Sequence, residues 1–439
     1  MSARKTALDA LIACRKAAAW SNGVLKDYIE RDRLDRRDAA LATRLCYGIL
    51  QHRGLLDFFL AQLLTGKIKD LHPVVRDILH MGLYQIYELD KIPDNAAVNE
   101  SVLLAKKYCR WQRSAPGLVN AVLRNAVRTK GTLKQPTSLE DRYSHPQILI
   151  DLLRGYVGEE NLEPMLAANN DTPQTVVQVN TLRITTEALI EKLAREDVVA
   201  LPHSWMKDCL VLSNTGDLEH LDAFKEGLFY VQDAASKLAV QCAKIPQGED
   251  VRVLDCCAAP GGKSFAAAIA MGNKGKLRSA DIHRHKTTLI QNGADRLGLH
   301  NILVREQDAT QNHRTWFQKM DVVICDVPCS GYGIIRKKPD IRYKDPSEME
   351  RLPQLQLQIL CEQAEYVKPG GVLMYSTCTL VRRENEAVVE AFLRHHKHFH
   401  LEKLELPSVF PENNNGMLRL IPGQYDTDGF FIARLRRDV

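Results

Sequence analysis

Apolar residues in the first third of the chain recur every three or four positions, as at Ala7, Leu11 and Ile12 and again at Val75, Ile78 and Leu79. That spacing gathers them on one face of a 3.6-residue helix, so residues from about 3 to 130 read as all helical. Gly and Pro are sparse there and fall between the periodic runs, as at Gly66 and Pro93. The run Lys130-Gly131-Thr132-Leu133-Lys134-Gln135-Pro136-Thr137-Ser138 breaks the period and reads as a linker.

From about 145 to 240 the pattern turns to short mixed elements. Thr175–Asn180 is strand-like, and Thr185–Glu196 is helical with Thr185 as its cap. From about 250 onward, apolar β-branched runs alternate with helical ones. Val251–Asp255 predicts a strand, followed by a Gly-rich turn and a helix over Ser264–Met271. Lys276–Asp281 predicts the next strand, then a long helix to Leu299, with further strands at Asn301–Val304, Asp321–Cys325 and Gly371–Tyr375. Such βαβ alternation predicts a doubly wound, largely parallel sheet of Rossmann-like type, with ligands at the C-terminal strand ends. The expected organisation is multidomain: an all-α domain at 1–138, a small α+β module at 139–240 and a C-terminal α/β domain at 241–439.

Composition agrees. A chain of 439 residues is too long for one hydrophobic core. With 45% hydrophobic and 26% charged residues it is ordinary globular material. No apolar run reaches the roughly 18–20 residues of a membrane span. The N-terminal stretch is amphipathic and interrupted, unlike a signal-peptide core, so a cytoplasmic monomer without a membrane partner is expected. The 11 cysteines form no C-x-x-C pair and no disulfide scaffold, and no metal site is expected. Most read as small buried hydrophobes, so any cysteine with a special task must be found by its surroundings.

Charge changes the picture more. Residues 1–140 carry 23 Lys+Arg against 14 Asp+Glu, although the whole chain is only +5. No acidic residue occurs between Ser101 and Leu139, where Lys106, Lys107, Arg110, Arg113, Arg124, Arg128, Lys130 and Lys134 accumulate. A basic helical surface of this kind suits a phosphate backbone, and equally a solvated helix face.

The candidate chemistry begins where the first strand of the α/β domain ends, at Asp255-Cys256-Cys257-Ala258-Ala259-Pro260-Gly261-Gly262-Lys263-Ser264. Small residues at a strand-to-helix turn let a ligand approach the backbone, and the helix start offers free N–H groups. A phosphate loop of the Walker type needs glycine where Cys257 stands, and the G-x-G-x-x-G dinucleotide fingerprint is absent. What remains is a loop for S-adenosylmethionine. Asp281, at the end of the second strand, stands where an acidic side chain can hold ribose hydroxyls.

The string Asp255-x-Cys257-Ala258-Ala259-Pro260-Gly261-Gly262-Lys263 resembles that of the RNA cytosine-5 methyltransferases, specifically the bacterial RsmB (Sun/Fmu) family, which acts on 16S ribosomal RNA. The resemblance implies that Cys257, Ala258, Ala259, Pro260, Gly261, Gly262 and Lys263 contact the cofactor. It also matches Asp281 to the ribose carboxylate and Asp308, in Gln307-Asp308-Ala309, to a further cofactor contact. On its residues alone Asp308 reads equally as a helix N-cap. The helical N-terminal region resembles NusB, an RNA-binding transcription factor, through Asp38-Ala39-Ala40-Leu41-Ala42-Thr43 and Gly117-Leu118-Val119-Asn120-Ala121-Val122-Leu123-Arg124. RNA contact by that domain is the implied role. Matches at Phe224–Gly227, Val231–Ser236 and Asp428–Phe431 extend the likeness over nearly the whole chain.

Cytosine C5 is too poor a nucleophile to accept a methyl group unaided. A thiolate added at C6 makes C5 enamine-like, and loss of the C5 proton then restores the ring. Such chemistry wants a thiolate at a strand end, a group to hold the base and a proton acceptor. Two segments qualify: Asp326-Val327-Pro328-Cys329-Ser330-Gly331, and Thr377-Cys378-Thr379 after Val372–Ser376. Lone cysteines are more often core filler, and the residues themselves do not rank the two. The resemblance does. It makes Cys378 the nucleophile and Cys329 the residue assisting product release, with Asp326 contacting the cytosine, the cofactor or both. Thr379 replaces the commoner Ser and Val327 the commoner Ala of the family motifs. Cys256 and Cys325 read as buried.

A cytosine must leave its helix to be attacked this way. The stretch Tyr332–Tyr343 carries Arg336, Lys337, Lys338 and Arg342 between tyrosines, a composition suited to phosphate contact and base stacking. Two competing functions stay in view: a DNA cytosine methyltransferase, for which Cys329 would be the nucleophile, and a non-catalytic RNA-binding or assembly factor.

Overall fold

The structure is a computed structural model and describes residues 2–17 and 21–439. The N-terminal amphipathic stretch runs through residues 18–20, which lie outside the described residues. The chain forms two compact units, Met1–Asp171 with Ile335–Lys344, and Thr172–Ile334 with Asp345–Val439.

The first unit is helical: α1 (Ala3–Ala17), α2 (Ser21–Asp32), α3 (Arg36–Gln51), α4 (Arg53–Leu63), α5 (Pro73–Glu88), α6 (Asp94–Tyr108), α7 (Ala115–Arg128), α8 (Leu139–Tyr143), α9 (Gln147–Val157) and α10 (Glu159–Ala168). Side-chain caps start several of them. Asp35 accepts from Asp38 N at α3, and Ser138 accepts from Asp141 N at α8. Helix α5 is the hub, with Val75 and every residue from Ile78 to Ile86 buried. Its neighbour α3 comes close because Gly48 has no side chain; a Cβ there would lie 2.0 Å from the Tyr84 ring. The segment 139–168, assigned from sequence to the α+β module, carries the three helices α8, α9 and α10 and groups with this unit.

The stretch 335–344 completes the same unit. Arg342 is 2% exposed, and its guanidinium donates to the carbonyls of Gln51, Tyr143, Ser144 and Asn169 at 2.7, 3.2, 3.5 and 2.7 Å. Those carbonyls end α3, α8 and α10, so three helix C-termini converge on one cation. Unpaired carbonyls and the negative helix ends are satisfied together. Burial lowers the Arg342 pKa to about 10, which leaves it charged at neutral pH.

The second unit holds two sheets. The smaller is antiparallel, of order β2-β3-β1-β4, with β1 (Thr175–Val179), β2 (Val199–Pro202), β3 (Cys209–Ser213) and β4 (Phe229–Val231). Helix α11 (Thr186–Ala194) packs Leu189 and Leu193 against Val177, Val179, Leu210 and Leu212. Thr185 caps it, as its sequence predicts. The short α12 (Asp222–Lys225) precedes β4, and α13 (Ala234–Cys242) follows it.

The larger sheet is built from β5 (Arg252–Asp255), β6 (Lys276–Asp281), β7 (Ile302–Glu306), β8 (Met320–Asp326), β9 (Val367–Thr377), β10 (Phe399–Leu401), β11 (Met417–Leu420) and β12 (Phe430–Arg437). Its order is β10-β12-β9-β8-β5-β6-β7, with β11 pairing β12. Strands β5 to β9 are parallel, interleaved with α14 (Gly262–Ala270), α15 (Arg284–Leu297) and α16 (Leu352–Ala364). The expected Rossmann-like core is present, but the far edge differs from a largely parallel sheet. After α17 (Glu386–His395), strands β10, β11 and β12 join antiparallel, Phe431 opposite Thr377 and Ile432 opposite Ser376. An antiparallel edge needs no crossover helix, so it leaves no βα alternation to read. The strand order reverses between β5 and β8, the place where open α/β sheets bind ligands.

Candidate active site

Five parallel strands end on one side of this sheet, and the sequence-predicted site residues of the α/β domain stand at those ends. Asp255 closes β5 and is fully buried. Ser264 donates to its Oδ2 at 2.7 Å, and Ser279 donates in turn to the Ser264 hydroxyl at 2.6 Å. Burial pushes the Asp255 carboxyl up to about 7.

The loop that follows is pinned by its backbone. Cys256 N donates to Ile324 O, Ala258 N to Ala280 O and Gly261 N to Ala258 O. Gly261 takes φ +117°, and a Cβ there would lie 2.4 Å from the Phe265 ring, so only glycine makes this turn. It begins α14 without a side-chain cap, which leaves first-turn N–H groups for an anionic ligand. Cys257 is half-buried, while Cys256 and Cys325 are buried.

Asp281 ends β6. Its two oxygens accept from Ala259 N at 3.3 Å and His283 N at 3.0 Å, which fixes the carboxylate beside the Gly-rich loop. Asp308, after β7, accepts from both the N–H and the hydroxyl of Thr310, at 2.9 and 2.7 Å, and these bonds hold its pKa below the usual carboxylate range. In this state Asp308 therefore shapes its own turn. Lys263 reaches Asp326 Oδ2 at 2.7 Å and Ser236 Oγ at 3.2 Å. The other oxygen of Asp326 accepts from Ser376 at 2.8 Å, tying the ends of β8 and β9 to the loop. The uncapped helix start, the glycine turn and the carboxylate after β6 fit S-adenosylmethionine: N–H groups for its carboxylate and oxygens for its ribose.

The two cysteines come together. Cys329 follows β8, Cys378 follows β9, and their sulfurs lie 3.3 Å apart. Both are half-buried, so a base can reach them. Cys378, first, and then burial, Glu384 and Asp326 hold the Cys329 thiol well above its ordinary pKa. Cys329 is accordingly a thiol at neutral pH.

The basic residues expected to hold RNA are distributed differently. Lys106, Lys107, Arg110, Arg113, Arg124, Arg128, Lys130 and Lys134 are exposed on the first unit, beside Trp111 at 57% exposure. Arg336, Lys337 and Lys338 are half-buried in the same unit. Arg342 is corrected: its guanidinium is spent on four carbonyls inside the unit and is not offered to a phosphate.

Sequence reading passed over Glu384, Asn385 and Gln356, all fully buried around the cysteine turns. Glu384 and Asn385 lie inside the polar run Arg382-Arg383-Glu384-Asn385-Glu386, and nothing in that run singles them out from a solvated turn.

Comparison with known proteins gives the family. Residues 242–436 match a family described as 16S rRNA methyltransferase RsmB/F, residues 1–128 the NusB family, and residues 145–219 a ferredoxin-like domain of RsmF/B-like methyltransferases. A probable ribosomal RNA small subunit methyltransferase B of Bacillus subtilis is 36% identical over 99% of both chains. Its counterpart in Synechocystis is 33% identical over 100% of both, and that of Pseudomonas putida 31% over 99% of this chain and 98% of its own. Among solved structures, a methyltransferase homologue from Pyrococcus horikoshii is 26% identical over 69% of this chain and all of its own, with TM-score 0.58. The crystal structure of PH0851 shares the fold over 98% of both chains, with TM-score 0.82 at 24% identity.

Proposed function

Because the chain belongs to the RsmB/F family of ribosomal RNA small subunit methyltransferases, which use S-adenosylmethionine, we propose that it methylates C5 of a cytosine in 16S ribosomal RNA through a covalent Cys378 adduct. The observation that carries this reading is the pair of thiols 3.3 Å apart at the exits of β8 and β9, next to the Gly-rich loop.

The bound cofactor supplies the methyl group. The protein's own residues do the rest. The first-turn N–H groups of α14, Asp281 and, once it turns from Thr310, Asp308 hold the cofactor's polar ends, with the loop from Cys257 to Lys263 shaping its bed. Asp326 orients the base edge. Cys378 adds to C6, which gives C5 the electron density to accept a methyl group. Cys329 first lies as a thiol within hydrogen-bond distance of the Cys378 sulfur, and either sulfur can be the donor. Once Cys378 is bonded to carbon, its sulfur is neutral and the largest influence holding up the Cys329 pKa is gone. Cys329 can then release its own proton to solvent, and the resulting thiolate takes the C5 proton, after which the Cys378–C6 bond breaks and Cys378 leaves as a thiolate.

RNA contact falls to the exposed cations of α6 and α7 with Arg336, Lys337 and Lys338 of the same unit. The exposed Trp111 ring among them offers a stacking face.

The test is methyl transfer to ribosomal RNA, read by bisulfite sequencing. Cys378→Ala is expected to abolish it, and Cys329→Ala to accumulate a covalent RNA–protein species. Full transfer by Cys378→Ala would sink the reading.

A further inference from the structure

The turns that carry the two thiols are each gripped from outside by one residue of a sequence-adjacent pair. Around Cys329, the Ser330 N–H donates to Glu384 Oε2 at 2.9 Å. Gln356 bridges the same oxygen and the Pro328 carbonyl, at 2.9 Å to each. The residues on both sides of Cys329 are thus referred to one carboxylate. Around Cys378, the Thr377 hydroxyl donates to Asn385 Oδ1 at 2.6 Å, and Asn385 Nδ2 donates to the Thr379 carbonyl at 2.9 Å. Here one amide holds the residues on both sides. Neither grip uses the thiol itself.

We propose that Glu384 and Asn385 are paired positioning residues, Glu384 for the Cys329 turn and Asn385 for the Cys378 turn, and that together they set the gap between the sulfurs. Three features support this. Glu384, Asn385, Gln356, Thr377 and Thr379 are all fully buried, where a misplaced polar group cannot fall back on water. Glu384 Oε1 has no hydrogen-bond partner among the described residues, so the carboxylate is kept at a cost that fold stability alone does not explain. The turns are also braced directly, Ser330 Oγ to Thr379 Oγ1 at 2.8 Å and Gly333 N to Cys378 O at 2.9 Å, so the gap between the sulfurs depends on both clamps, while each clamp residue holds its own thiol. Two thiols that must act in sequence on neighbouring ring atoms tolerate little displacement; about 1 Å can cost on the order of a hundredfold in rate.

The catalytic consequence rests on the cysteine-addition reading above, but the geometry is testable without RNA or cofactor. Full-length protein is treated with diamide, which takes two electrons and two protons from a pair of thiols, forming the disulfide and the hydrazine. The Cys329–Cys378 bond is followed by mass spectrometry. Wild type is expected to crosslink readily. Glu384→Ala and Asn385→Ala are expected to slow crosslinking at least tenfold with cofactor affinity, read by calorimetry, unchanged within about twofold. Glu384→Gln, which keeps an acceptor for Ser330 N–H, should restore the rate. With RNA, Asn385→Ala should slow adduct formation, whereas Glu384→Ala should slow release from a normally formed adduct. Should the alanine variants lose cofactor binding, the milder Thr377→Val decides, since it removes only the hydroxyl that meets Asn385. Crosslinking at the wild-type rate in the clamp variants, no crosslinking in wild type, or equal slowing of both RNA steps overturns the proposal. Retention of methylation by Cys378→Ala would overturn the reaction assignment and leave the crosslinking result standing.

Discussion

The Lys263 ammonium lies 2.7 Å from Oδ2 of Asp326, and this ion pair joins the start of α14 to the end of β8. Lysine is 9% and aspartate 29% exposed, so the pair is partly shielded from water. Removing the lysine leaves a half-buried carboxylate uncompensated. Lys263→Met is expected to destabilise the protein by about 1–2 kcal/mol and weaken cofactor binding at least tenfold, measured by calorimetry. Asp326→Asn keeps an acceptor for Ser376 and is expected to lower methyl transfer about a hundredfold with cofactor affinity within threefold. Equal losses in both quantities would remove Asp326 from the base-binding role.

The sulfur pair makes its own prediction about ionisation. Cys378 is the largest influence raising the Cys329 pKa, so replacing it should let Cys329 ionise at lower pH. Alkylation of Cys329 by iodoacetamide, followed against pH by mass spectrometry, should be slow in wild type up to pH 9. In Cys378→Ala the profile should move down by at least one unit. An unmoved profile would mean that Cys329 does not wait for adduct formation to become a base.

Asp255 gives a pH dependence of stability. Its carboxyl titrates near 7 in the fold against 3.8 when unperturbed, because burial disfavours the charge. The stability contributed by the protonated form is fully present below about pH 3.8 and lost as pH rises through about 7. Asp255→Asn cannot ionise and keeps an acceptor for Ser264. Its melting temperature relative to wild type should therefore climb between pH 4 and 8 and level off above that. A constant difference across this window would show that Asp255 is ionised throughout.

How far the sequence announced these features differs by feature. The loop from Asp255 to Ser264 and both cysteine turns were legible because each is a local string at a strand exit, and strand exits follow from apolar runs. Glu384 and Asn385 were not, since their role depends on turns that the fold brings to them. Arg342 was misread for the same reason. A basic residue among tyrosines looks like a phosphate contact, and nothing near it in sequence says that the carbonyls of Gln51, Tyr143 and Asn169 will converge on it. Local strings reveal chemistry; convergence of distant helix ends does not appear in them.

That convergence is testable against the phosphate-contact reading. Arg342→Met would take the guanidinium from the Gln51 and Asn169 carbonyls, while Tyr143 O and Ser144 O keep other donors, and should cost about 3 kcal/mol, seen as a lower denaturation midpoint. His145 will not compensate: burial and then Arg342 hold it well below its ordinary pKa, and its ring already bonds Tyr143 O and Asn169 Nδ2. RNA affinity measured where the variant is folded should keep its wild-type salt dependence. A shallower salt slope would return Arg342 to the RNA surface.

The exposed cations of α6 and α7 should behave in the opposite way. Lys106, Lys107 and Arg110 are exposed at the end of α6 and just beyond it, with no acidic residue between Ser101 and Leu139 to neutralise them. Each cation that meets a phosphate releases a counterion, so affinity falls with salt by a slope of about 0.7 per contact on single-stranded RNA. The triple change Lys106→Gln, Lys107→Gln, Arg110→Gln is expected to leave the denaturation midpoint within experimental error, because these side chains are exposed. It should weaken RNA binding at least tenfold at moderate salt and flatten the slope of log affinity against log salt by about 2. Cofactor affinity in the absence of RNA should not change. A variant that binds RNA with the wild-type slope would reduce this surface to a solvated helix face, the reading its charge alone allows.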